Sequence, residues 1–379
     1  MDLDIGWIFL GLPMAFGLGW LASRFDLRQL RMENRSNPKA YFKGLNYLLN
    51  EQQDQAIDAF IEAVQRDPDT SELHFALGNL FRRRGEFERA VRVHQHLLAR
   101  ADLSSADRDR AQYDLALDFV KAGILDRAEA ALQPLLKTRL APQALLALLS
   151  IYERGRDWRQ AADISLQLDG QGQGNFAVRR AHYLCELAAC ENDLQACEAL
   201  LTQAQQTAPD SARPRIALAA LFERQNRLTH ACDQLHELAR LVPSAMPLVA
   251  GTLARLAPLV QRQIPILTLL QDSYHQLQSL DVLDAIVSLQ TNMGQADGRT
   301  LYSLHLNHHP SLIAASQLLS ESTLTSEQQP QVQRAIAHAA KPLRRYRCAA
   351  CGFEALQHFW QCPGCQAWDS YPPRRVEEL

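Results

Sequence analysis

The sequence predicts an all-α protein: a solenoid of paired helices, preceded by a membrane-spanning helix and closed by a small four-cysteine metal-binding knuckle. Three observations predict it. Small and bulky residues recur at a period near 34, an uncharged run extends from Ile5 to Ala22, and two Cys-x-x-Cys pairs stand near the other end. Composition agrees, since aromatics are only 7% and Leu, Ala, Gln, Glu and Arg dominate, the residues that lose least on entering a helix.

The uncharged run, Ile5 to Ala22, comes first. Eighteen helical residues span about 27 Å, close to the thickness of a hydrocarbon core. Trp7 and Trp20 sit near its ends, at headgroup level, and Pro13 and the glycines are tolerated in such helices. The chain begins Met-Asp-Leu-Asp, without the positive charge of a signal peptide, and Trp20-Leu-Ala22 is a poor cleavage site, so the anchor is expected to be kept. Arg24, Arg28, Arg31, Arg35, Lys39 and Lys43 follow the run and no basic residue precedes it. The positive-inside rule then places the rest of the chain on the cytoplasmic side of the membrane. A peripheral or packed terminal helix is the alternative. The expected boundaries are residues 1–23 for the anchor and 24–36 for a basic juxtamembrane segment.

The repeats start at Asn37. Gly44, Tyr47, Ala56, Phe60, Ala63 and Pro68 fall at the signature places of a 34-residue tetratricopeptide unit. The next unit repeats them with Leu77, Gly78, Phe81, Gly85 and Ala90, and later ones with Leu115-Ala116, Phe119, Gly123, Ala128, then Ile151, Gly155, Ala161. The recurrent alanines Ala56, Ala90, Ala128, Ala161, Ala196 and Ala231 are spaced 34, 38, 33, 35 and 35 apart. Each unit is two antiparallel helices that cannot bury their apolar faces alone: small residues let the helices approach, and bulky ones fill the gap to the next unit. Six clear units cover 37–243. Residues 244–341 keep helical periodicity without the signature and are expected to hold two or three degenerate units. Gln171-Gly-Gln-Gly-Asn175 reads as a loop and Pro243 to Pro247 as a bend.

Such a stack offers a long groove for a peptide or partner protein. His74, Arg82, Arg83, Arg84 and His94 are candidates to line it, against the plain reading that exposed polar residues need no function. Nucleic acid is excluded as a main partner by a formal charge of −3, from 39 basic and 42 acidic residues. No Gly-rich phosphate loop, Gly-x-Ser-x-Gly elbow or His-Glu-x-x-His pair is present, and His308-His309 has no sequence partner, so no catalytic residue is assigned.

Of the eight cysteines, Cys185, Cys190, Cys197 and Cys232 lie in helical pattern and read as core thiols, with Cys190 and Cys197 on one helical face. Cys348, Cys351, Cys362 and Cys365 are different. Each Cys-x-x-Cys turn presents two sulfurs, and four thiolates in a tetrahedron suit one zinc or one iron ion, zinc being favoured. A redox dithiol pair is the alternative, and His358 a substitute ligand. The ten intervening residues can form a small hairpin between the knuckles. A module this small, residues 342–373, folds on its metal, and its aromatics Phe353, Phe359, Trp360 and Trp368 are expected to dock on the last helices of the solenoid. Arg344, Arg345 and Arg347 either offset the thiolate charge or form a solvated linker.

Taken together, Leu77-Gly-Asn-Leu-Phe-Arg-Arg-Arg-Gly-Glu86, Asp126-Arg-Ala-Glu129, Ala181-His-Tyr-Leu-Cys-Glu-Leu-Ala188, Tyr346-Arg-Cys-Ala-Ala-Cys-Gly-Phe353 and Trp360-Gln-Cys-Pro-Gly-Cys-Gln-Ala-Trp368 resemble the lipopolysaccharide assembly protein B family over the whole chain. That family joins an inner-membrane anchor, cytoplasmic tetratricopeptide repeats and a rubredoxin-like end. The resemblance implies a non-enzymatic adaptor that promotes degradation of the LpxC deacetylase by the FtsH protease and so restrains lipopolysaccharide synthesis. It also implies a membrane lipopolysaccharide sensor and transport proteins as partners, and Cys348, Cys351, Cys362 and Cys365 as metal ligands. Rubredoxin proper has Gly after each knuckle; here Gly352 fits and Gln366 does not, which disfavours electron transfer. A membrane-tethered rubredoxin-type electron carrier and a generic repeat scaffold for envelope enzymes are the alternatives, and self-association through the anchor glycines stays open.

Overall fold

A computed structural model of the protein describes residues 16, 20, 38–50, 52–66, 70–294, 298–309, 311–319 and 329–379. The anchor expected over 1–23 and the basic segment over 24–36 lie outside the described residues, apart from Phe16 and Trp20, which are helical and exposed. Among the described residues, no helix is long and apolar enough to cross a membrane. The chain divides into two compact units, Met1–Arg156 and Asp157–Leu379.

The first unit is a row of helices: α1 (Pro38–Leu49), α2 (Gln53–Arg66), α3 (Ser71–Arg84), α4 (Phe87–Ala99), α5 (Ser105–Ala122), α6 (Leu125–Leu132) and, after a short 3-10 turn, α7 (Ala141–Gly155). Sequence neighbours pack as antiparallel tetratricopeptide pairs. Ala56, Ala90 and Ala128 are wholly buried, and Phe60 fills the space between units at 1% exposure. Gly78 shows why the small position matters: a Cβ there would stand 2.5 Å from Nε2 of His94 on the opposite helix. Each helix start needs a local partner, as at α5, where Ser104 Oγ accepts from the Asp107 N–H at 3.1 Å.

The candidate groove residues of this unit do not line a surface together. His94 is 0% exposed and its Nδ1 lies 2.6 Å from Asp118 Oδ2. Arg82 donates to Asp118 and Asp114, both at 2.9 Å, so α3 and α4 are tied to one face of α5. His74 is buried against His96, while Arg83 and Arg84 are exposed and Arg84 pairs with Glu86. Two buried carboxylates one turn apart need cationic or N–H partners, and Arg82 and His94 supply them in place of lining a groove.

The second unit continues with α8 (Trp158–Gly170), α9 (Ala177–Cys190), α10 (Leu194–Thr207), α11 (Ala212–Arg224), α12 (Leu228–Leu241), α13 (Met246–Leu259), α14 (Gln263–Leu277), α15 (Leu280–Asn292), α16 (Gly298–His308), α17 (Leu312–Leu319) and α18 (Gln329–Ala340). Its main core runs from Ala181 to Leu289 without a break. Past Pro243 the pairing pattern changes, with α13 packing more on α15 than on α14. Ala161 and Ala231 are fully buried, but Ala196 is half-buried and Cys197 takes the inward place beside it. Cys190 and Cys197 do not share a helix face. Asp193 caps α10 by accepting from Gln195 and Ala196, so the chain turns between them; Cys190 ends α9 exposed, while Cys185, Cys197 and Cys232 are core thiols.

Candidate metal centre

The last part of the second unit is a short two-stranded ladder, β1 (Tyr346–Arg347) against β2 (Glu354–Ala355), with Tyr346 opposite Ala355 and Arg347 opposite Glu354. The expected hairpin between the knuckles is instead a hairpin around the first knuckle, Cys348 to Cys351. The second, Cys362 to Cys365, is bracketed in the same way by a bridge between Gln361 and Trp368. Two knuckle tips, one closed by a two-stranded ladder and the other by a single bridge, face one another.

Each tip turns through a left-handed residue that returns its N–H to the first cysteine's carbonyl: Gly352 (φ 77°) to Cys348 at 2.9 Å, and Gln366 (φ 61°) to Cys362 at 2.8 Å. Gln366 thus makes in the second knuckle the turn that Gly352 makes in the first. A side chain in this region costs about 1 kcal/mol, which the surrounding hydrogen bonds sustain. The two knuckles therefore share one backbone geometry despite the missing glycine.

The four sulfurs lie within 4.8 Å of one another, and among the described residues this is the one such group of three or more His, Cys, Asp or Glu ligand atoms. Cys348 Sγ is 3.8 Å from Cys365 Sγ, and Cys351 Sγ is 3.7 Å from Cys362 Sγ. A disulfide needs about 2.05 Å, whereas sulfurs about 2.3 Å from a central tetrahedral ion stand about 3.8 Å apart. The donor set therefore fits one metal ion of the zinc or iron kind. Cys348 and Cys362 are buried, and Cys351 and Cys365 face solvent.

Electrostatics point the same way. Burial opposes ionisation of Cys348, but hydrogen bonds from Ser370 and from the backbone N–H groups of Cys351 and Ala350 outweigh it and bring the thiol down to about 6. Cys362 is lowered against burial by the N–H groups of Cys365 and Gly364. At Cys351 the Phe353 N–H favours the thiolate, yet burial and the facing sulfurs push the thiol up to about 12. Four thiolates this close require a shared cation. His358 is no ligand here: its Nε2 lies 3.0 Å from the Tyr371 carbonyl oxygen, and burial lowers its pKa. Arg347 and Arg345 pair with Glu354 at 2.8 and 3.5 Å, and Arg344 offers its carbonyl to Arg375, so these arginines brace the module's strands.

The module docks over a wider surface than the last helices. Trp368 stacks on His182 of α9, with ring centres 4.8 Å apart, and meets Tyr183 and Trp158 edge-on at 5.9 and 6.2 Å. Next to it Asp369 accepts from His182 Nε2 at 2.7 Å. Trp360 also touches His182, whereas Phe353 stays exposed. The tail then crosses to the later helices. Arg375 grips Asp281 of α15 with two bonds of 3.0 and 3.1 Å and lies over the Tyr346 ring. Glu377 accepts from Leu312 N–H at 2.6 Å at the start of α17, and Glu378 from Leu280 N–H at 2.7 Å at the start of α15. Two adjacent carboxylates cap two helices. Spacing could not reveal any of this, because a basic-acidic tail after Pro372-Pro373 looks like a solvated end.

A family model described as a rubredoxin metal binding domain matches residues 346–372, and two tetratricopeptide repeat models match 73–112 and 113–175. Over 383 aligned residues the chain is 30% identical to lipopolysaccharide assembly protein B of Escherichia coli K12, covering 97% of this chain and 98% of that protein. It is 26% identical to the protein of that name from Haemophilus influenzae, covering 98% of each.

Proposed function

The chain belongs to the lipopolysaccharide assembly protein B family, and on that premise we propose that it is a non-enzymatic adaptor, held in the bacterial inner membrane by its first 23 residues with its bulk in the cytoplasm. In this reading it brings the LpxC deacetylase to the FtsH protease and thereby restrains lipopolysaccharide synthesis. Cys348, Cys351, Cys362 and Cys365 hold one metal ion, zinc in preference to iron, whose chemistry is to cross-link the two knuckles.

The observation that carries the reading is the position of Trp368 and Asp369, three and four residues beyond the last cysteine and set against α8 and α9. A cysteine cluster built so firmly onto helix pairs serves the shape of a partner-binding surface. The test is Cys348→Ser or Cys362→Ser in cells: metal content should fall and deacetylase abundance rise, and metal loss with unchanged abundance would sink the role.

One observation favours a second reading, that of a membrane-tethered rubredoxin-type electron carrier. Gln366 folds its knuckle like Gly352, and Cys351 and Cys365 are exposed residues. An absorption spectrum and metal analysis decide between the two, because a colourless zinc protein carries no one-electron couple.

A further inference from the structure

Between the metal module and helices α9, α11 and α13 of the second unit lies a cavity of about 310 Å³. Its wall is mostly apolar, with the rings of Trp360, Tyr371 and His358 on the module side and Val178 and Leu248 on the helix side. Among the described residues, Asp210 and Asp369 are its charged lining residues. Asp369 uses Oδ2 for His182, and Asp210 has no ion-pair partner among the described residues. Arg213, near the start of α11, is committed to Glu186 at 2.6 Å and does not line the space.

Chemistry restricts the occupant. An anion would meet two carboxylates, and a purely apolar group would strip water from them without compensation. A cation on an aliphatic stem satisfies both parts of the wall: rings take the stem and the edge of the charge, and carboxylates take the charged hydrogen-bond donors. The volume is at the small end of ligand pockets, which run from about 300 Å³ upward, so one side chain suits it better than a cofactor. We propose that this cavity receives a lysine or arginine side chain of a partner polypeptide, its stem against Trp360 and Tyr371 and its charge facing Asp210 and Asp369. This rests on the reading of the chain as an adaptor for other proteins.

The test uses the full metal-loaded chain in detergent micelles, with tryptophan indole nitrogens labelled and the Trp360 signal assigned by Trp360→Phe. N-acetyl-arginine amide and N-acetyl-lysine amide should move that signal saturably, while N-acetyl-norleucine amide and N-acetyl-glutamate amide should not. Asp210→Asn, an exposed substitution, should weaken the arginine probe about threefold at unchanged metal content. Equal binding of the norleucine probe, or wild-type binding by Asp210→Asn, overturns the proposal. The adaptor reading fails separately: if LpxC abundance in cells is independent of the chain while the basic probes bind as stated, the cavity stands and the named substrate falls.

Discussion

Nε2 of His182, a wholly buried side chain, donates to Oδ2 of Asp369 at 2.7 Å, joining residues 187 positions apart. The bond fixes the second knuckle to α9, because Asp369 also returns its backbone N–H to Trp360 at 2.8 Å. Truncating His182 deletes both this bond and the ring on which Trp368 stacks, while the half-exposed Asp369 carboxylate returns to water. His182→Ala should therefore raise amide hydrogen exchange across 346–372 more than across α12. Uniform exchange over both segments would show that the module is held elsewhere.

Metal removal should reach the same contact from the other side. With the sulfurs unclamped, the hairpin ends that position Trp368 lose their closure, and its stack on His182 should go with them. Chelation should shift tryptophan emission to the red in step with metal release. If emission changes only after global unfolding, docking is independent of the ion.

Gln366→Gly is expected to be stabilising or neutral, by up to about 1 kcal/mol, since glycine takes the left-handed turn without steric cost. Gln366→Val should lose a similar or larger amount. Competition against a chromogenic chelator measures both, and a glycine variant with weaker retention would show that the glutamine side chain itself is needed.

In the first unit, Gly78→Ala should cost about 1–3 kcal/mol, because its methyl group would meet the His94 ring at 2.5 Å and push α3 from α4. Thermal unfolding reads this directly. Pairing the change with His94→Ala should recover part of the loss, whereas simple additivity would deny the clash.

Asp284 gives a pH prediction. Burial raises its carboxyl pKa, outweighing the Tyr302 hydroxyl that donates at 2.6 Å; Asp281 raises it further, and Arg344 and Arg375 oppose. A raised folded value means that the folded state holds the proton more tightly than the unfolded chain. The stabilisation is then full below the usual carboxylate value of about 3.9 and lost as pH rises through the folded value. Asp284→Asn should therefore gain stability over the wild type near neutral pH, and the gain should vanish at about pH 3.5. A gain independent of pH would assign the effect to packing.

How far the sequence could be read follows from the range of each interaction. The alanines at repeat spacing and the Cys-x-x-Cys pairs are local patterns, and periodicity alone locates helices and sulfurs. Gln366 misleads because residue type gives a preference for φ and the neighbouring hydrogen bonds decide it. Arg82 and His94 look like solvent-facing polar residues until Asp114 and Asp118, more than twenty positions later, are placed against them. His182 on α9 carries no sign of its partner, since an amphipathic pattern marks a position as inward and says nothing of what arrives there.

Glu377 and Glu378 have a mechanical consequence. Neighbours in one short turn, they hold the starts of α17 and α15, while Arg375 two and three places earlier ties α15 to the metal module. Three parts that could loosen one at a time are thus stitched by a single thread. A cut at Val376 should slacken both helix ends at once, making the seam a point where trimming by a protease acts in one step and not by degrees.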